Sequence, residues 1–64
     1  MMVAVTCLDD GNKYLFDAKN GEEAINKMLH TLNFWSRDED AKIELCNNRT
    51  WCLTHNGKTY GCLK

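Results

Sequence analysis

The chain contains no proline in 64 residues, so no strand or helix is broken by a residue that lacks a backbone donor. It has no long apolar run either, which excludes a membrane-spanning helix. Its first residues, Met1-Met2-Val3-Ala4-Val5-Thr6-Cys7, lack the basic start and apolar stretch of a signal peptide, which predicts a cytoplasmic protein. The net charge is only −1, too small for an overall field that draws the protein to nucleic acid or to a membrane surface. Close cysteine pairs are missing as well. Cys7, Cys46, Cys52 and Cys62 are separated by 38, 5 and 9 residues, unlike the C-x2-C spacing of zinc sites. With no export signal, the four are expected to be reduced structural thiols rather than a disulfide frame.

What is present is ordinary globular material: 44% hydrophobic and 27% charged residues, which argues against disorder. A chain of this length forms one domain, residues 1–64, with a core one layer deep and a stability of about 3–5 kcal/mol. Such a domain has little room for a deep substrate cleft, which weighs against an enzyme.

Hydrophobic periodicity supplies the elements. Val3-Ala4-Val5-Thr6-Cys7-Leu8 alternates as a strand. Asp9-Asp10-Gly11-Asn12 has turn chemistry, and Lys13–Ala18 resumes the alternation with Tyr14, Phe16 and Ala18 on one face. A helix follows. Asn20 is its expected N-cap, with Glu23 completing a capping-box-like pair and Glu22 and Glu23 complementing the positive end. Ala24, Ile25, Met28, Leu29 and Leu32 form its apolar stripe. The spacing predicts that the helix stops near Leu32, with Asn33 in the left-handed conformation and Phe34 folding back on Leu29, because a helix continuing through Phe34 would turn that ring to solvent.

After the acidic loop Ser36–Asp40, Ala41, Ile43 and Leu45 alternate as a third strand, and Thr50–His55 forms a fourth. Asn56-Gly57 is a strong hairpin signal leading into a fifth strand, Lys58–Leu63. A two-residue turn there pairs His55 with Lys58, Leu53 with Tyr60 and Trp51 with Cys62. For Ile43 and Leu45 to share the face of Trp51, the preceding hairpin must hold an odd loop, Asn47-Asn48-Arg49, with a bulge. The expected fold is α+β: a single ββαβββ domain with one helix packed on one face of an antiparallel sheet.

No catalytic constellation stands out. His30 falls on the polar helix face and His55 beside the Asn56-Gly57 turn, and both read as solvated surface residues with no triad spacing. A metal cluster of Cys46, Cys52, His55 and Cys62 is opposed by strand alternation, which turns Cys52 away from Cys62. Gly21 stands alone before two glutamates, unlike a phosphate-binding loop. The expectation is a non-enzymatic protein with no catalytic residues, no metal and no cofactor.

Charge is distributed unevenly. All nine acids lie in residues 1–46 with five bases, a net of −4, whereas residues 47–64 hold no acid and three bases, Arg49, Lys58 and Lys64. Together with Asn47, Asn48 and His55 these bases make the C-terminal hairpin the candidate binding surface, for phosphates or for an acidic protein patch. An ordinary solvated hairpin, with an edge lysine that discourages strand pairing, is the more common meaning of the same residues, because three charges are few for nucleic-acid binding.

The run Phe16-Asp17-Ala18-Lys19-Asn20-Gly21-Glu22-Glu23-Ala24 entering a helix, then Lys42-Ile43-Glu44-Leu45 and two strands around Asn56-Gly57-Lys58, resembles the plan of small phage-encoded inhibitors of bacterial defence, including some type I-F anti-CRISPR proteins. That resemblance implies a non-catalytic plug that binds a larger host protein complex, using basic residues to occupy a nucleic-acid site. Three partners are therefore expected to be worth distinguishing: a protein, nucleic acid bound weakly through the basic hairpin, and a second copy of the chain in a structural homo-oligomer. A membrane is not among them.

Overall fold

A computed structural model describes all residues 1–64 as one α+β domain. Its elements are β1 (Met2–Cys7), β2 (Lys13–Asp17), α1 (Gly21–Trp35), β3 (Lys42–Asn47), β4 (Thr50–His55) and β5 (Lys58–Leu63), the expected ββαβββ order. The five strands form one antiparallel sheet in the order β2-β1-β5-β4-β3. The first and last strands are thus neighbours, and β2 and β3 are the edges.

Register follows the side-chain parity. Asn56 (φ 46°) and Gly57 (φ 81°) both have positive φ, which matches the right-handed twist of the flanking strands and pairs His55 with Lys58, Leu53 with Tyr60 and Trp51 with Cys62. On β3, Ile43 faces Leu53 and Leu45 faces Trp51, as the odd-loop argument requires. The extra residue is Cys46, which bulges between Leu45 and Asn47. Asn47 then joins the strand opposite Thr50, leaving Asn48-Arg49 as the turn. That bulge sets Cys46 and Cys52 with Cα atoms 5.8 Å apart, and the two form a disulfide. The expectation of four unpaired thiols is corrected to two, Cys7 and Cys62, both buried. Burial pushes the Cys62 thiol pKa up, because the charged thiolate would lose its hydration there.

The helix lies on one face of the sheet. Its N-cap is as expected: the Asn20 side chain accepts from the Glu23 amide at 2.9 Å, while Glu23 Oε1 accepts from the Lys19 amide at 3.2 Å. The core between the layers is Val5, Cys7, Ala18, Ala24, Ile25, Met28, Leu53, Tyr60 and Cys62. Ile25 and Leu53 are fully buried, each worth about 1.5–3 kcal/mol relative to exposure. Every buried polar side-chain atom has a hydrogen-bond partner.

The end of the helix differs from expectation. It continues to Trp35, and Ser36 caps it in an extended conformation with its amide bonded to the Leu32 carbonyl. Asn33 stays helical because its side chain has tertiary work. Its Oδ1 accepts from the Asp38 amide at 3.0 Å and lies 2.8 Å from His55 Nε2. Phe34 therefore does not fold back on Leu29; it is 80% exposed. The same extra turn covers His55, which is 3% exposed rather than solvated.

Candidate functional site

The six residues expected to form a binding surface are divided by the structure. Arg49 and Lys64 come together at one end of the sheet, where the Lys64 amide donates to the Arg49 carbonyl at 2.6 Å. They line a shallow depression with Asn48 and Leu63. Asn47 lies beside it, its Oδ1 accepting from the Arg49 amide at 2.7 Å and shaping the turn. Lys58 sits at the opposite end of β4 and β5, about 20 Å from Lys64 at roughly 3.4 Å per strand residue. His55 is at that far end too, and it is removed from the surface altogether.

The contacts of His55 define what it does. Oδ1 of Asn33 already accepts from the Asp38 amide, which fixes the orientation of the carboxamide, so His55 Nε2 is the donor in that pair. Asp38 extends the network. Its Oδ2 accepts from the Asn56 amide at 2.8 Å and its Oδ1 from the Asp40 amide at 2.9 Å. These bonds, the Asn56 amide first, hold the Asp38 carboxyl below the usual carboxylate range, with the nearby His55 adding a smaller contribution. Asn56 Nδ2 in turn donates to the Ser36 carbonyl. Asn56 Nδ2 also lies 3.2 Å from the Ser36 hydroxyl, and the group clamps the β4–β5 turn to the loop after the helix.

The apolar surfaces left open are more informative. Phe34 and Trp35 stand at the end of α1, 80% and 79% exposed, with ring centroids 5.3 Å apart in an edge-to-face arrangement. Beside them the loop carries Arg37, Asp38, Glu39 and Asp40, with Arg37 spent on Glu39 at 3.6 Å. The rim of the aromatic pair is therefore acidic. Sequence reasoning missed this pair by ending the helix one turn early. The helical phase of Phe34, opposite Ile25, carried the signal, and the absence of glycine after Leu32 agreed with it.

The second surface is the sheet face opposite the helix. Met2, Leu8, Leu15 and Leu63 lie on it, 60–72% exposed. Beyond Thr6–Gly61 the β1–β5 pairing stops, and a groove of about 560 Å³ opens, lined among others by Met2, Ala4, Thr6, Leu8 and Leu63. Gly61 is its floor, with the Leu8 side chain against it. No group of three or more His, Cys, Asp or Glu side chains is placed to hold a metal ion, and no helix is long and apolar enough to cross a membrane.

No family model matches the chain, and no curated protein or solved structure shows significant similarity to it.

Proposed function

We propose that the chain is a small non-enzymatic binding module that docks on a larger protein through Phe34 and Trp35. The observation that carries this reading is the exposure of both rings at the helix end, set edge to face against each other rather than against the core. Aromatic side chains dominate the energetic centres of protein interfaces because they bury much area at little cost in rotamer entropy. Two of them exposed side by side in a domain of 64 residues contribute nothing to its core. The flanking Asp38, Glu39 and Asp40 favour a partner that offers an apolar pocket with a basic rim.

This reading is in line with a phage-type inhibitor of a host complex, with one difference of mechanism; the Cys46–Cys52 disulfide speaks against a reducing cytoplasm as its place of action. Contact runs through aromatics and acids, and the basic hairpin is secondary. Nucleic-acid binding would rest on Arg49 and Lys64 alone at one end of the sheet. Two phosphate contacts make a weak, strongly salt-dependent complex.

The test is affinity capture from nuclease-treated bacterial lysate with the tagged protein and with its F34A/W35A variant. The reading expects one or a few proteins retained by the first and lost, by about tenfold or more, with the second. Equal capture by both, or capture that disappears with nuclease, overturns it.

A further inference from the structure

The edge strand β2 is self-complementary, and we infer that it pairs with β2 of a second copy to make a twofold-symmetric dimer with a continuous ten-stranded sheet.

The backbone groups of β2 divide by direction. In an antiparallel ladder, alternate residues of an edge strand bond to their neighbour while the others point away. Cys7 donates to the Asn12 carbonyl and Ala18 to the Met1 carbonyl, both at 2.8 Å. With the β1–β2 register, Tyr14 and Phe16 therefore bond inward to Val5 and Val3. The amides and carbonyls of Lys13, Leu15 and Asp17 face the free edge.

Place a twofold axis at Leu15. Antiparallel pairing then sets Leu15 opposite Leu15 of the other copy, Lys13 opposite Asp17, and Asp17 opposite Lys13. All three are outward-pointing residues, so each is a hydrogen-bonded pair and the parity closes without a slip. The side chains fit as well. Lys13 and Asp17 have opposite charge and are both exposed, with the Asp17 side chain 83% exposed. Leu15, 64% exposed on an edge, is covered at the axis. On the other face Tyr14 meets Phe16 of the second copy. Cross-strand ion pairs and aromatic pairs of this kind are the units of sheet stabilisation.

Existing contacts leave the edge available. The Met1 ammonium holds Asp17 Oδ1 at 2.8 Å, leaving Oδ2. Lys27 donates to the Asp17 carbonyl, which keeps a second lone pair. The other edge, β3, has neither property. Its Lys42 is paired within the strand to Glu44 at 3.1 Å, and the Cys46 bulge interrupts its line. β2 carries no bulge and no inward charge, and its one edge lysine, Lys13, falls opposite Asp17 of the second copy rather than opposite another cation.

The inference is independent of the aromatic pair at the helix end. A five-residue edge buries less than a standard interface, so the dimer is expected to form reversibly in the micromolar to millimolar range.

The experiment is sedimentation of the full chain from about 5 µM to about 1 mM, with five variants. The expected result is a shift from monomer to twice the mass. Leu15→Lys, which sets two ammonium groups at the axis, removes the dimer while the monomer keeps its circular dichroism. Lys13→Asp or Asp17→Lys alone weakens association by about tenfold, and the double exchange K13D/D17K restores it to within about threefold. The F34A/W35A variant dimerises as the parent does. A monomer at every concentration overturns the inference. So does a dimer that survives Leu15→Lys, or one that the charge exchange fails to restore or that F34A/W35A abolishes.

Discussion

Gly21 opens the helix at its first position, where exchanging glycine for alanine ordinarily stabilises a protein by roughly 0.5–1 kcal/mol. Here the sign is expected to reverse. A Cβ built on Gly21 would lie 2.0 Å from the carbonyl oxygen of Leu63 and 2.8 Å from its carbonyl carbon. Even a tight contact needs 3.0 Å, so one backbone must retreat by about 1 Å. Neither is free to do so. Leu63 is paired with Thr50, and the next amide, of Lys64, is bonded to the Arg49 carbonyl. On the other side Gly21 follows the Asn20 cap, whose bond to the Glu23 amide sets the entry of the helix. Overpacking of this kind costs about 1–3 kcal/mol, and each displaced backbone bond about 1 more. After the helix-propensity gain, Gly21→Ala should lose about 2 kcal/mol. In a domain of this size that lowers the melting temperature by roughly 8–16 °C. Thermal unfolding followed by circular dichroism reads it directly. A melting temperature equal to or above that of the parent would refute the close approach of the helix start to the end of β5.

Asn33→Ala removes the acceptor shared by the buried His55 ring and the Asp38 amide, and should cost about 1–2 kcal/mol despite the better helix former, measured as a lower midpoint in urea. An unchanged midpoint would mean that His55 finds another partner. The depressed pKa of Asp38 has a pH consequence with a definite sign. A group lowered on folding contributes stability that is present above its ordinary value of 3.8 and is lost as pH falls through the folded value. The stability gap between the parent and Asp38→Asn should therefore be constant from neutral pH down to about 5 and close below about 4, in melts across that range. A gap that persists in acid would show that the carboxylate charge is irrelevant to the clamp.

Much of the fold was legible because it is decided locally. The alternation of Val3, Val5 and Cys7, the Asn20–Glu23 cap and the Asn56-Gly57 turn each rest on residues a few positions apart, and parity then fixed the faces of Trp51, Leu53 and Tyr60. The departures have three separate causes. The helix passes Leu32 because Asn33 bonds to a histidine 22 residues away, and that bond is also why His55 is buried. The Cys46–Cys52 pair required knowing which residue of the odd loop would bulge. The basic residues looked like one surface because they are close in sequence, yet a strand separates points along a line rather than gathering them. Sequence proximity for that reason points to the hairpin, while the exposed pair Phe34 and Trp35 depends on a helix end set by the Asn33–His55 contact.

The adjacency of β1 and β5 has a consequence for how the chain is made. Until residues 58–63 leave the ribosome, the N-terminal hairpin and the β3–β4 hairpin have no strand between them, and the helix has no continuous floor. The contacts that close the core join the two ends of the chain, which are the most expensive in loop entropy. The helix therefore gains its full floor, and the two hairpins their common neighbour, only once β5 is in place.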